Sequence, residues 1–135
     1  MRFIDTNIFV RFLSRDDEAK AAACEALFAL LDSGEEEATT SDVVIAEVFY
    51  VLSGRAYRVP RNAIATRMRP LLNFRGLRLE NKAVLLGALD VCEAFPELDF
   101  EDALTTSRVL SEGIGEIYSY DRDFDAIDGI ARIEP

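Results

Sequence analysis

Met1-Arg2-Phe3-Ile4-Asp5-Thr6-Asn7 reads as a short strand that runs into an acid, followed by an Asx/Thr/Asx cluster that opens a helix. In an open α/β sheet, the carboxyl end of a central strand is where chemistry is usually placed. Asp, Thr and Asn also accept hydrogen bonds from the free N–H groups at a helix start, so an N-cap accounts for the same residues. Which reading holds depends on whether acids from later in the chain return to the same edge.

Outward from this stretch the pattern alternates between helix and strand. Ile8–Ser14 is apolar almost all round, and Asp16–Asp32 is an Ala-rich helix that Gly34 ends. Glu36–Ser41 reads as a second strand, and Val43–Ser53 as a strongly apolar helix broken at Gly54. Pro60 opens a helix that runs to about Phe74. Gly76–Glu80 is a third strand, Lys82–Phe95 a helix closed by Pro96, and Asp99–Glu112 the next helix. Glu116–Asp121, a helical turn over Arg122–Ile127 and a last strand at Ala131–Glu134 complete the order. Strands alternating with helices predict a parallel sheet covered by helices on both faces, in a single domain over residues 1–135.

The bulk numbers narrow the function classes. Half of the 135 residues are hydrophobic and 30% are charged, as in an ordinary globular protein. No signal peptide or membrane-length apolar run is read, so the cytoplasm is the expected compartment. Cys24 and Cys92 sit in helix-like patterns among apolar neighbours and read as buried thiols. The chain has no histidine, which removes a histidine triad and a Cys/His zinc site. Any catalysis must come from carboxylates, hydroxyls, lysine, arginine or a recruited metal ion.

The net charge of −10 is unevenly spread. Between Val48 and Leu79 there is no Asp or Glu but seven arginines, so the rest of the chain carries −17. A body that acidic repels a polyanion at long range, which leaves this segment as the plausible phosphate-facing surface. A solvated helix face balancing the acidic body explains it equally well.

Four acids stand in unusual places. Glu47 is the one residue charged at neutral pH in Val43-Val44-Ile45-Ala46-Glu47-Val48-Phe49-Tyr50-Val51-Leu52. A helix apolar on every side is expected to be buried or docked, and a buried carboxylate must neutralise or find a cation, Arg55 being one choice. Asp102 follows Asp99 by three residues at a helix start, where capping and dipole energy alone could place both. Asp121, like Asp5, ends a hydrophobic strand, with Asp123 two residues on and Ser119 two residues before. In a continuous parallel sheet Asp5 and Asp121 would share one edge, with Asp102 and Glu47 opening toward it. Four carboxylates gathered there repel unless a divalent cation binds, and oxygen-only ligands suit Mg²⁺ or Mn²⁺.

With these positions in order, the chain resembles the PIN-domain ribonucleases, and within them the VapC-type toxins of toxin–antitoxin pairs. The likeness rests on Phe3-Ile4-Asp5-Thr6-Asn7-Ile8, Glu47 in its apolar helix, Asp102-Ala103-Leu104 and Tyr120-Asp121-Arg122-Asp123-Phe124. It implies a three-layer α/β/α domain with five parallel strands in the order 3-2-1-4-5, and Mg²⁺- or Mn²⁺-dependent cleavage of RNA. It assigns Asp5, Glu47, Asp102 and Asp121 to catalysis and metal binding, with Asp123 as an added ligand and Thr6, Asn7 and Ser119 in support. It also implies a homodimer restrained by a small antitoxin protein, and RNA would then meet Arg55, Arg58, Arg67 and Arg69. Two other readings use the same residues. One is a phosphatase or phosphotransferase built on Asp121-Arg122-Asp123; the other is a non-catalytic binding module.

Overall fold

A computed structural model describes all 135 residues, Met1–Pro135. The elements follow the order β1 (Arg2–Phe3), α1 (Thr6–Ser14), α2 (Glu18–Ser33), β2 (Ala38–Thr39), α3 (Asp42–Ser53), α4 (Arg61–Leu72), β3 (Leu77–Arg78), α5 (Lys82–Ala94), α6 (Phe100–Ser111), β4 (Glu116–Tyr118), a 3₁₀ turn (Arg122–Ala126) and β5 (Ala131–Ile133). Local chemistry sets most of the boundaries. Ser41 caps α3 by accepting from the Val44 N–H at 3.3 Å, and Asp99 caps α6 through the Asp102 N–H at 2.8 Å. Gly34 ends α2 in the left-handed region, at φ 82°. The start of α1 moves from Ile8 to Thr6, and the start of α2 from Asp16 to Glu18. Asp16 is held by Tyr57, Ser14 and Arg11, so Asp17 takes the capping role at the Lys20 N–H. The Tyr57 hydroxyl is the largest cause holding the Asp16 carboxyl at about 2.

The chain is α/β and its strand pairings are parallel, as expected. The expectation of one five-stranded sheet is corrected: β1, β2 and β3 form one sheet with β2 in the middle, and β4 pairs only with β5. The strands hold two or three residues each, far fewer than the sequence patterns suggested. Packing explains the break. The first sheet and most helices share a core that includes Phe9, Ile45, Phe49, Met68, Leu89 and Phe100. The segment around β4 and β5 gathers instead on Leu98, Val109, Ile127 and Ile130, a cluster separate from that core. With its own apolar anchor, β4 is not drawn into a ladder with β1. Asp5 and Asp121 therefore end strands of two different sheets.

Three contacts fix the elements that carry the acids. Helix α1 packs on α2 and α3, and α3 also meets α6. Phe49 of α3 stacks on Phe100 of α6 with ring centroids 4.6 Å apart, two residues from Glu47 and two from Asp102 respectively. Ser107 of α6 donates to the Val84 carbonyl of α5 at 2.7 Å, beside Gly87, where the helices approach closely. Cys24 and Cys92 are free and buried, and burial pushes the Cys92 thiol up to about 12. No helix is long and apolar enough to cross a membrane.

Candidate active site

Asp5 sits at the N-cap position of α1, yet its side chain makes no capping hydrogen bond. The capping explanation for this acid is thus not realised, and its exposed carboxylate is left to other partners. The next residue, buried Thr6, donates through Oγ1 to Glu47 Oε2 at 2.6 Å. That bond ties the start of α1 to α3 and sets Glu47 beside the Asp5 segment. Asn7, also expected in support, is exposed and makes no side-chain bond.

The expectation that Glu47 is buried is overturned: it is exposed, and no arginine pairs with it. Helix α3 buries Val44, Ile45, Val48, Phe49 and Leu52, which leaves positions 43, 47 and 50 outward at i, i+4 and i+7. Val43 and Tyr50 are 72% and 77% exposed, so apolar surface flanks the carboxylate on both sides. A run with no polar residue except Glu47 gave no clue to which stripe faces out.

Asp102 is half-buried in the first turn of α6. Its carboxyl is pushed up to about 6, first by burial and then by the negative charges of Asp99, Asp121 and Asp123. Asp121 and Asp123 are exposed and linked through the 3₁₀ turn, Asp121 Oδ1 accepting from the Asp123 N–H at 2.9 Å. Ser119 Oγ accepts from the Asp121 N–H at 2.9 Å, so this hydroxyl does hold the Asp121 backbone.

The structure thus gathers two acidic groups. Asp102 shares a field with Asp99, Asp121 and Asp123, while Glu47 is joined to the Asp5 segment through Thr6. No three of these carboxylates stand close enough to hold one ion between them as they are placed. The donor set nonetheless fits a divalent cation. Its members are all hard oxygens, none has a basic partner, and the acids around Asp102 repel one another.

The arginines divide sharply. Arg69 pairs with Asp90 at 2.8 Å and also with Glu93, and Arg67 donates to the Leu13 carbonyl. Arg78 pairs with Glu37, and Arg61 reaches the Pro96 and Glu97 carbonyls. Arg55 and Arg58 are exposed and have no acidic partner. Sequence reasoning missed a cleft of about 270 Å³ beyond the ends of β1, β2 and β3, where Glu80 and Asn81 meet Phe3 and Leu104.

The model of the PIN domain family matches residues 2–130 of the chain. No curated protein and no solved structure matches it.

Proposed function

The chain belongs to the PIN-domain family, whose members are generally metal-dependent nucleases, and from that premise we propose that it is a Mg²⁺- or Mn²⁺-dependent endoribonuclease. The observation that carries the reading is the charge of Asp99, Asp121 and Asp123 acting on half-buried Asp102, with Arg122 nearby in sequence but no salt bridge to any of the four. A bound divalent cation would relieve that repulsion. Asp5, Glu47, Asp102 and Asp121 would hold the ion, with Asp123 as a further ligand. When bound, the ion supplies positive charge against the phosphoryl oxygens and lowers the pKa of water in the site.

The chain's own residues supply orientation. The Thr6 hydroxyl fixes one Glu47 oxygen and leaves the other free, and Ser119 sets the Asp121 backbone. Protonated Asp102 is a poor ligand, so its high pKa makes cation affinity fall below about pH 6. RNA is assigned to Arg55 and Arg58, because Arg67 and Arg69 are engaged within the fold. Replacing both Arg55 and Arg58 with Ala is expected to flatten the salt dependence of RNA binding by about 0.7 per lost contact. An unchanged slope removes them from the interface.

The same reading makes the chain a cytoplasmic toxin, homodimeric and restrained by a small antitoxin. Exposed Val43 and Tyr50, on either side of Glu47, offer such a partner an apolar seat over the site. The test uses antitoxin-free protein, expected by light scattering to have the mass of two chains, incubated with single-stranded RNA. Cleavage should require Mg²⁺ or Mn²⁺, stop with EDTA, and fall at least about a hundredfold in Asp5→Asn. Metal-independent cleavage, or full activity in Asp5→Asn, overturns the reading.

A further inference from the structure

We propose that the cleft beyond the ends of β1, β2 and β3 is a base-binding subsite for single-stranded RNA, selective for guanine; this rests on the nuclease reading and names what the site would select. The cleft of about 270 Å³ is large enough for a purine base, and exposed Phe3 stands at its rim. Phe3 ends β1 and Asp5 follows two residues later in extended backbone; both are exposed while Ile4 between them is buried, so the two lie on one side of the chain, roughly 6–7 Å apart. A base stacked on Phe3 therefore sits next to a phosphodiester held at Asp5. Leu104 of α6 lines the same cleft.

Most polar groups around it already have partners. The Thr39 hydroxyl donates to the Arg78 carbonyl and the Thr40 hydroxyl to the Ile4 carbonyl. Ser41 and Asp42 accept from N–H groups in the first turn of α3, and Arg108 pairs with Glu112. The exposed side chains of Glu80 and Asn81 are the exception, making no hydrogen bond within the protein and facing solvent at the cleft. Asn81 is the more telling of the two. It occupies the N-cap position of α5 at φ 53°, a left-handed conformation that Asn tolerates better than most residues, and does not use its amide to cap.

A free carboxylate beside a free amide matches one base. Guanine alone presents two adjacent N–H donors, N1–H and N2–H, on its Watson–Crick edge, and a carboxylate accepts both. The Asn81 amide N–H₂ can then donate to the neighbouring O6. Adenine and cytosine place an acceptor where guanine has its N1–H, so Glu80 would face it unpaired. The acids of the cleft also repel phosphate, which favours a base over the backbone as occupant.

The experiment measures kcat/KM on oligouridine RNAs that carry one internal guanosine, adenosine or cytidine. Wild-type protein is expected to cut beside guanosine at least tenfold more efficiently than beside the others. In the Glu80→Gln/Asn81→Gly variant, whose glycine keeps the left-handed backbone, that ratio should fall toward one. Equal cutting of all three RNAs by wild type, or a ratio undiminished in the variant, overturns the subsite while leaving the nuclease intact. If wild type cuts none of them, the nuclease reading fails, and guanosine binding followed by NMR decides the subsite. Shifts confined to cleft residues and lost in the variant support it, and no shift overturns it.

Discussion

Asp102→Asn is expected to reduce metal-dependent RNA cleavage by about 10²–10³-fold and, in metal-free buffer, to make the protein more heat-stable. The two effects have opposite signs because they arise from one cause. Burial, followed by the charges of Asp99, Asp121 and Asp123, raises the Asp102 carboxyl to about 6 from its ordinary 3.8. Between those values the folded state binds more protons than the unfolded chain, so stability falls as pH rises from about 4 to about 6. At neutral pH the ionised group is therefore a cost to the fold. The helix dipole favours an acid in this turn by roughly 0.3–1 kcal/mol, and the raised value means that burial and repulsion outweigh it. Solvent screening of a partly exposed group reduces the net gain in Asp102→Asn to about 1 kcal/mol, or roughly 3–5 °C in melting temperature. Raising the ionic strength should shrink the gain. A lower melting temperature in the variant would make Asp102 a structural capping residue.

Gly76→Ala should be the most damaging single methyl group in the chain. A Cβ built at position 76 falls 2.0 Å from the Glu36 carbonyl oxygen and 3.0 Å from that of Leu31. Both are backbone atoms, so no side chain can swing aside. The Gly76 N–H also donates to Leu31 at 2.7 Å, and its carbonyl accepts from Ala38 at 2.9 Å. Relieving the clash would break the pairing of β2 with β3. A loss above about 3 kcal/mol is expected, a large share of the 5–15 kcal/mol typical of a domain, read as the urea midpoint or as failure to fold. Gly87→Ala is the instructive contrast. Its Cβ would meet the Ser107 hydroxyl oxygen at 2.3 Å, a side-chain atom that can rotate at the cost of its bond to Val84. A loss below about 1 kcal/mol in Gly76→Ala would mean that β2 and β3 have slack the structure does not show.

Local signals were read well and long-range ones poorly. Gly34, Pro96 and Asp99 act through residues within a few positions, so their roles at helix ends were legible in the sequence. The break between the two sheets was not. It depends on Leu98, Val109, Ile127 and Ile130 forming a cluster of their own, and nothing in their spacing distinguishes that from joining the main core. Glu47 was expected inside because its neighbours are apolar, but Val43 and Tyr50 face outward with it. Arg67 and Arg69 looked available for RNA because their partners, Leu13, Asp90 and Glu93, lie far off in the chain. Asp102 was the reverse case. Its place in a first turn admitted a capping role, and only the approach of Asp121 and Asp123 reveals the crowding of charge.

The central claim is that side chains from α1, α3, α6 and the turn after β4 serve one cation. Mn²⁺ binding, followed by the loss of the free-ion EPR signal, tests it with wild-type protein and with Asp5→Asn, Glu47→Gln, Asp102→Asn and Asp121→Asn. Each substitution is expected to weaken binding at least tenfold, because each removes an oxygen from the same ion. Binding lost in Asp102→Asn and Asp121→Asn but unchanged in Asp5→Asn and Glu47→Gln would show that the two acidic groups do not share an ion and contradict the account.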